Sequence, residues 1–520
     1  MATSAPGFTF GSTRATRPGY GRGLISVKAG CNVPGDNPLP PRLRTLRPPR
    51  DPMTTTLAAA DLVLDTALVK KYDLFGPRYT SYPTADRFNG AFTAEHYVNA
   101  LHARNHRHAA HPQPLSLYVH VPFCNTICYY CACNKVITKD HGRSAKYIKY
   151  VGREIDIVGG LIEGAPAVEQ LHWGGGTPTF LARDEMTTLM GMLRGSFSVA
   201  ADAEISIEVD PRKVDADTIG FLGHLGFNRI SVGVQDFDPE VQKAVNRIQS
   251  EEETRTVIDA SRANGFVSVN CDLIYGLPKQ TVAGFSVTLD KVIDASPDRI
   301  ALYSYAHVPH LFKPQRRIEM AAVPAPEVKL AILALAIEKL GAAGYVYIGM
   351  DHFAKPTDEL ALAQSQRKLH RNFQGYSTKP DCDLLAFGIS AIGKVGRAYV
   401  QNVRTLDEYY VRLDGDALPV LRGFELDADD LIRRDVIQRL MCDFDLDFAS
   451  VGAKHGIRFN EYFAPDLAAL APLAADGLAQ VSATGIRVTP RGRLLVRTIA
   501  MQFDRYLRET REQARYSRVI

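Results

Sequence analysis

LSLYVHVPFCNTICYYCACNKV, residues 115–136, runs from a short apolar stretch straight into a dense group of thiols. Four of the chain's eight cysteines fall within residues 124–133, spaced Cys124-x3-Cys128-x2-Cys131 with Cys133 two residues further on. Disulfide stapling explains this poorly. A chain of 520 residues with 46% hydrophobic content buries large cores without staples. The remaining cysteines, Cys31, Cys271, Cys382 and Cys442, are scattered. The N-terminus lacks the apolar h-region of a secretory signal. No run approaches the ~18 apolar residues that a membrane span needs. A cytoplasmic chain with no membrane span is therefore expected, and there clustered cysteines bind metal or do redox work.

A closed zinc site draws two ligand pairs from separate segments. Here three thiols share one loop, and no second pair follows downstream. Soft thiolates also suit iron–sulfur clusters. Three thiolates on a four-iron cubane leave one iron open to a small molecule. S-adenosylmethionine (SAM) fills that role through its amino and carboxylate groups, and an electron from the cluster then splits its sulfonium to a 5′-deoxyadenosyl radical. The spacing of Cys124, Cys128 and Cys131, with Tyr130 just before the third thiol, resembles the radical SAM superfamily. Cys133 has three readings: a cluster ligand, a proton or hydrogen donor, or a small buried residue. A permanent fourth thiolate would block SAM, so the first is rejected.

Strand and helix alternate from about 115 to 310. LSLYVHV, EQLHWGG, EISIEVD, RISVGVQ, VSVNCDLIYGLP and RIALYSYAH are short runs rich in Val, Ile or Tyr. AKYIKYVGREIDIVGGLI, KVDADTIGFLGHLG and VAGFSVTLDKVIDA between them read as helices. Repeated β–α units imply parallel strands with right-handed crossovers. The expected fold is α/β, a partial (β/α)6 barrel over 115–310, open rather than closed, with its chemistry at the C-terminal strand ends. Residues 1–52, rich in Gly, Pro and Arg and with only Asp36 and Asp51 as acids, read as a disordered leader or a mis-annotated extension, with Met53 as the start. Residues 53–114 read as a helical segment beginning after Met53, with Leu62, Leu64, Ala67 and Leu68 at helical spacing. Residues 311–424 extend and connect the barrel. In 425–520, DDLIRRDVIQRLMC and GRLLVRTIAMQFDRYLRET read as helices and GLAQVSATGIRVTP as a hairpin, a small, mostly helical, winged-helix-like domain. A net charge of +4 argues against a dedicated nucleic-acid binder and permits an anionic small substrate.

Polar and glycine residues mark the strand ends. HWGGGTPT closes the second strand, where Gly175, Gly176 and Thr177 let backbone approach an amino acid ligand; a tight strand–helix turn explains the glycines equally well. Glu208 and Asp210 end the third strand, Gln235 the fourth and Asp272 the fifth, and Ala306 follows the sixth. Arg247, read as lying on the helix after Gln235, suits a carboxylate as a fork donor, although a helical Arg is usually a surface residue.

The motifs together resemble the oxygen-independent coproporphyrinogen III oxidases, a radical SAM family of haem biosynthesis. GPRYTSYPTA (76–85), the cysteine loop, HWGGGTPT, IEVDPR, GVQDF, YGLPKQT, GMDHFA (349–354), HRNFQGY (370–376) and the terminal SRVI carry the resemblance. It implies a 4Fe–4S cluster on Cys124, Cys128 and Cys131 and two SAM molecules. It further implies SAM contacts at Tyr118, Tyr130, Gly175, Gly176, Thr177, Glu208, Gln235, Arg247, Asp272, Ala306 and Ile392, with Tyr118 and Cys133 as catalytic candidates. The implied substrate is coproporphyrinogen III, the electron donor a reduced flavodoxin- or ferredoxin-like protein, and the enzyme a monomer. Haem-chaperone cousins keep the cluster loop but typically carry Phe where this chain has Cys133, which favours the oxidase over a haem-binding or haem-modifying relative.

Overall fold

Six parallel strands stand side by side in chain order: β1 (Leu115–Val121), β2 (Ala167–Gly175), β3 (Ser198–Val209), β4 (Arg229–Gln235), β5 (Ser268–Tyr275) and β6 (Arg299–Ser304). The computed structural model describes residues 57–72, 74–107, 113–379 and 382–509. The leader expected over 1–52, and a start at Met53, lie outside the described residues. Helices Gly142–Gly160, Arg183–Ser196, Ala216–Leu225, Glu251–Ala263 and Val282–Ala295 connect the strands. Their starts are written in the sequence. Asp215, Ser250 and Thr281 each accept a backbone N–H of the first turn, and Glu253 closes a capping box on Ser250.

The period of two in β1 separates two environments. Leu115, Leu117, Val119 and Val121 are fully buried, in one core with Tyr147, Val151 and Ile155 of the following helix. The same alternation on β2 buries Leu171 and Trp173 and turns Gln170 and His172 to the barrel cavity. The sheet does not close on itself. Beyond β6 it continues through His352–Ala354, Val346–Gly349 and Leu57–Ala58, all antiparallel. Beyond β1 it continues through Asp383–Phe387, parallel to β1, and then Ile392–Val395, Ala398–Asn402 and Val420–Glu425, antiparallel. The parallel strand at Asp383–Phe387 was not among the six expected, although its run DLLAF carries the apolar signal.

Two expected helices differ. The chain after Met53 is not one helix: Leu57–Ala58 pairs with Tyr347 and Val346, Ala59–Asp61 makes a single 3-10 turn, and the helix spans only Thr66–Tyr72. The open sheet edge takes the backbone first, and Asp65 Oδ1, accepting from the N–H groups of Ala67 and Leu68, starts the helix late. The run GRLLVRTIAMQFDRYLRET is likewise broken, into Arg493–Leu495 (3-10), Val496–Met501 and Arg505–Glu509. Asp504 interrupts it by capping Tyr506 and Leu507 while accepting from Tyr79 Oη. Arg497, fully buried, donates to the Pro77 carbonyl. The tail is thus bent around segment 76–82. The C-terminal helices Ala428–Asp443, Phe448–His455 and Ala464–Ala475 pack with a small three-stranded sheet whose central strand is Gly485–Val488.

Glu154, on the helix after β1, is the polar centre of the packing behind the strand ends. It accepts from the Gly388 N–H (2.8 Å), Asn402 Nδ2 (2.6 Å) and Tyr409 Oη (2.5 Å). Tyr147 on the same helix donates to the His120 carbonyl and accepts from the Ile389 N–H. Burial outweighs the three donors and raises the Glu154 carboxyl from 4.5 to about 7. Its folded value lies above the unfolded one, so its contribution to stability is full below pH 4.5 and is lost as pH rises through about 7. Glu154→Ala strands three buried donors and should cost about 3 kcal/mol in chemical denaturation. An unchanged midpoint would show that the network does not hold the fold.

Candidate active site

The cysteine loop leaves β1 and is closed by its own backbone. Phe123–Cys124 pairs with Val136–Ile137, and Thr138 N donates to the Cys124 carbonyl at 3.0 Å. The middle of the loop is tied to the segment after β4: Tyr129 N donates to the Val245 carbonyl (2.9 Å) and Asn246 Nδ2 to the Ile127 carbonyl (2.7 Å). Lys135 Nζ reaches the carbonyls of Cys131 and Cys133, both at 3.1 Å. Three thiols are thereby fixed at the C-terminal end of the barrel.

Each neighbour suits a thiolate. Thr177 Oγ1 donates to Cys124 Sγ at 3.5 Å. Arg247 Nη1 and Arg212 Nη2 lie 3.6 and 3.8 Å from Cys128 Sγ. A hydrogen bond from Cys133 and the Lys135 ammonium hold the Cys131 thiol below its ordinary value, against the effect of burial. Such donors stabilise thiolate sulfur, and in cluster proteins hydrogen bonds to sulfur set the reduction potential. The donor set therefore fits an iron–sulfur cluster on Cys124, Cys128 and Cys131. Cys133 is exposed and its side chain hydrogen-bonds that of Cys131.

Arg247 corrects an expectation. It lies beyond the end of helix Pro239–Ala244, past Asn246 in a left-handed conformation (φ 54°), and it is buried rather than a surface residue. It donates to the Gly233 carbonyl (2.7 Å) and pairs with Asp210 (3.4 Å), which Arg212 also holds at 2.6 Å. Its Nε is buried without a partner among the described residues. Arg212 and the pairing role of Asp210 were missed in the sequence, where IEVDPR places an Arg two residues after an Asp but gives no sign that both turn toward a thiol.

The glycines of HWGGGTPT serve the protein's own packing. A Cβ on Gly176 would lie 2.6 Å from the Pro122 backbone. Gly175, at φ +113°, would meet the His120 ring at 2.6 Å. The turn that results presents the Gly175 N–H to Glu208 Oε2 at 3.1 Å.

A cavity of about 170 Å³ opens inside the barrel, lined by His172, Glu208, Ser231, Asn270, Asp272 and Tyr303 among others. Burial raises the Glu208 carboxyl, but His172 at 3.4 Å and the Gly175 N–H outweigh it and hold the group below the usual range. Asp272 has no cationic partner among the described residues; Ser231 Oγ (2.8 Å) and Asn270 Nδ2 (2.9 Å) donate to it, and burial pushes it up to about 6. Tyr118 stacks on His172 (5.8 Å) with its Oη 3.1 Å from His120 Nδ1, and burial raises it well above 10.

The remaining expected residues are less tightly gathered. Tyr130 packs beside Val241, Val245 and Tyr305, and Gln315 Nε2 bridges the Tyr130 and Ala306 carbonyls, at 3.1 Å each. Gln235 ends β4 at φ 66°. Ile392 stands on the antiparallel extension, packed toward Phe88, Tyr399 and Leu426 rather than lining the cavity.

Comparison with known proteins agrees with this geometry. The model of the radical SAM superfamily matches residues 118–292, and that of the HemN C-terminal domain matches 426–495. The chain is 52% identical over 458 residues to the oxygen-independent coproporphyrinogen III oxidase of Pseudomonas aeruginosa, covering 88% of this chain and 98% of the relative. It is 49% identical over 457 residues to that of Escherichia coli, with the same coverage. It is 46% identical over 472 residues to that of Synechocystis, covering 90% and 100%. A solved structure described as coproporphyrinogen III oxidase (HemN) from Escherichia coli, a radical SAM enzyme, superposes with a TM-score of 0.81 at 47% identity over 86% of this chain and all of that one. Among the described residues no helix is long and apolar enough to cross a membrane. The chain, with its thiol loop at the barrel's C-terminal end and its HemN C-terminal domain, belongs to the oxygen-independent coproporphyrinogen III oxidases of the radical SAM superfamily, SAM-dependent oxidoreductases with a 4Fe–4S cluster.

Proposed function

We propose that the enzyme converts two propionates of coproporphyrinogen III to vinyl groups without oxygen, releasing protoporphyrinogen IX, and that it uses two SAM molecules to do so. The observation that carries this reading is the thiol loop with its Thr177, Arg212 and Arg247 donors beside a polar barrel cavity, in a chain whose relatives are named for this substrate. The β-carbon of a propionate carries an unactivated C–H bond that side-chain acids and bases do not break. When bound, the cluster and SAM supply a primary carbon radical strong enough to take that hydrogen. The propionate radical then loses CO2 and passes one electron to a one-electron acceptor, becoming a vinyl group; two such events account for two SAM molecules.

The protein's own residues hold and aim. Thr177, Arg212 and Arg247 donate toward the thiolates. Glu208 and Asp272 accept from ammonium or ribose hydroxyl groups of SAM at the cavity wall. Tyr118 and Tyr130 flank SAM. Packing around the barrel keeps water from the reacting carbon. A reduced flavodoxin- or ferredoxin-like protein supplies the electrons.

The test is an anaerobic assay of reconstituted protein with SAM, a reductant and coproporphyrinogen III. Protoporphyrinogen IX should form together with two 5′-deoxyadenosines per product. SAM cleavage with no tetrapyrrole product would overturn the reading. Asp272→Asn should weaken SAM binding roughly 10-fold, the loss of one charge-assisted hydrogen bond; wild-type affinity would make Asp272 a structural partner of Ser231 and Asn270 only. Cys133→Ser should keep its iron, because SAM holds the unique iron. Iron falling to the level of a Cys131 variant would make Cys133 a ligand.

A further inference from the structure

Three motifs that the cluster site does not use meet at the wall of the barrel cavity: His352 of GMDHFA and Tyr376 of HRNFQGY line it, and Arg78 of GPRYTSYPTA and Arg371 of HRNFQGY stand against the Tyr303 and Tyr376 rings of that wall. Arg78 lies over the Tyr303 ring at 5.9 Å and pairs with Asp351. Arg371 lies over the Tyr376 ring at 4.7 Å. His352 stands edge-on to both rings, 6.0 Å from Tyr303 and 5.4 Å from Tyr376. Strands His370–Asn372 and Gly375–Ser377 form the hairpin that carries Arg371, and Ser377 Oγ donates to Gln170 of β2 at 3.1 Å.

Arg371 is 3% exposed, yet among the described residues no carboxylate lies within ion-pair reach of it. Its Nε donates weakly to the Arg78 carbonyl (3.4 Å), and its Nη1 is buried without a partner. It lines a smaller cavity with His370, Lys379, Lys394 and Arg434; no described Asp or Glu lines that cavity, and Gln170 and Asn372 are common to its wall and that of the barrel cavity. Burial and the charges of Arg371, Arg78 and Arg299 push His352 down to about 3, so its ring is neutral. A buried guanidinium without a counter-ion is costly. An incoming anion relieves that cost, and a planar fork favours a carboxylate.

We propose that Arg371, with Arg78 beside it, binds a carboxylate of the tetrapyrrole that is not being removed, and so sets which propionate faces the cluster. The polarity of the cavity supports this. Glu208 and Asp272 line its wall and repel a carboxylate, and Arg229 and Arg299 of the same wall are already paired with Glu359 and Asp358, whereas the Arg371 cavity, which no described acid lines, attracts one. The substrate comes from the function proposed above, and the clamp rests on that reading.

The KM for coproporphyrinogen III and the affinity for SAM are measured on anaerobically reconstituted Arg371→Gln and Arg371→Lys. KM should rise roughly 10- to 100-fold for Arg371→Gln and less for Arg371→Lys, with SAM affinity unchanged. A companion measurement needs no variant. Coproporphyrin III, the oxidised and unreactive form, should compete against wild-type turnover far better than its derivative with every carboxyl amidated. Wild-type KM in a folded Arg371→Gln protein, or an amide competing as well as the acid, overturns the clamp. Failure of the wild-type enzyme to make protoporphyrinogen IX would sink the proposed function itself, so the two failures are separable.

Discussion

Replacing Cys124, Cys128 or Cys131 by Ala should abolish the cluster's near-ultraviolet absorbance and all turnover. Three thiolates are the smallest set that holds a cubane while leaving one iron for SAM, so no variant is partly competent. The fold should survive each change. The loop is closed by the pairing of Phe123–Cys124 with Val136–Ile137 and anchored by Tyr129 and Asn246, all through backbone or amide groups. Cys124 and Cys131 are only partly buried, so truncating them leaves no sealed cavity. The measurements are iron and sulfide content, circular dichroism, and 5′-deoxyadenosine formation. A single Ala variant that cleaves SAM at the wild-type rate would remove that cysteine from the ligand set.

Arg247→Ala should damage both the cluster and SAM binding. Seen only as a sequence, this residue is either a surface arginine or a fork for a ligand carboxylate, and in neither reading does it hold the fold together. Its position argues otherwise: it bonds the Gly233 carbonyl, pairs with Asp210 and approaches Cys128 Sγ. Removing one partner of a buried ion pair costs about 3–5 kcal/mol, and the lower end is expected because Arg212 still holds Asp210. The loss of an N–H donor to sulfur should make the cluster harder to reduce. The unpartnered Nε leaves one donor for a SAM carboxylate, whose loss weakens SAM roughly 10- to 100-fold. Arg247→Lys should keep the charge near Asp210 and lose the fork. Normal SAM affinity, iron content and stability in Arg247→Ala would return it to a passive role.

The parallel barrel strands were legible because their signals are local. β1 and β4 begin and end where LSLYVHV and RISVGVQ do, since each buried strand is a continuous apolar run stopped by polar or turn residues. The thiol loop was legible for a similar reason: one loop at the end of β1 holds all three cysteines, so their spacing is a local signal. The helix expected after Met53 failed because periodicity does not report a free sheet edge at Val346–Gly349 waiting for backbone partners. The long terminal helix failed because Asp504 and Arg497 answer to Tyr79 and Pro77, more than 400 residues away.

The sequence by itself determined the β–α order, the thiol loop and the strand-end carboxylates, because patterning, capping and ligand spacing act over a few residues. Tertiary structure decided the rest: which arginine meets which thiol, that Asp210 is shared by Arg212 and Arg247, and that among the described residues Asp272 has only neutral donors and Arg371 is buried with no acid in ion-pair reach. Those facts depend on side chains brought together from distant segments, and the cost of burying a charge is set by neighbours that no local pattern names.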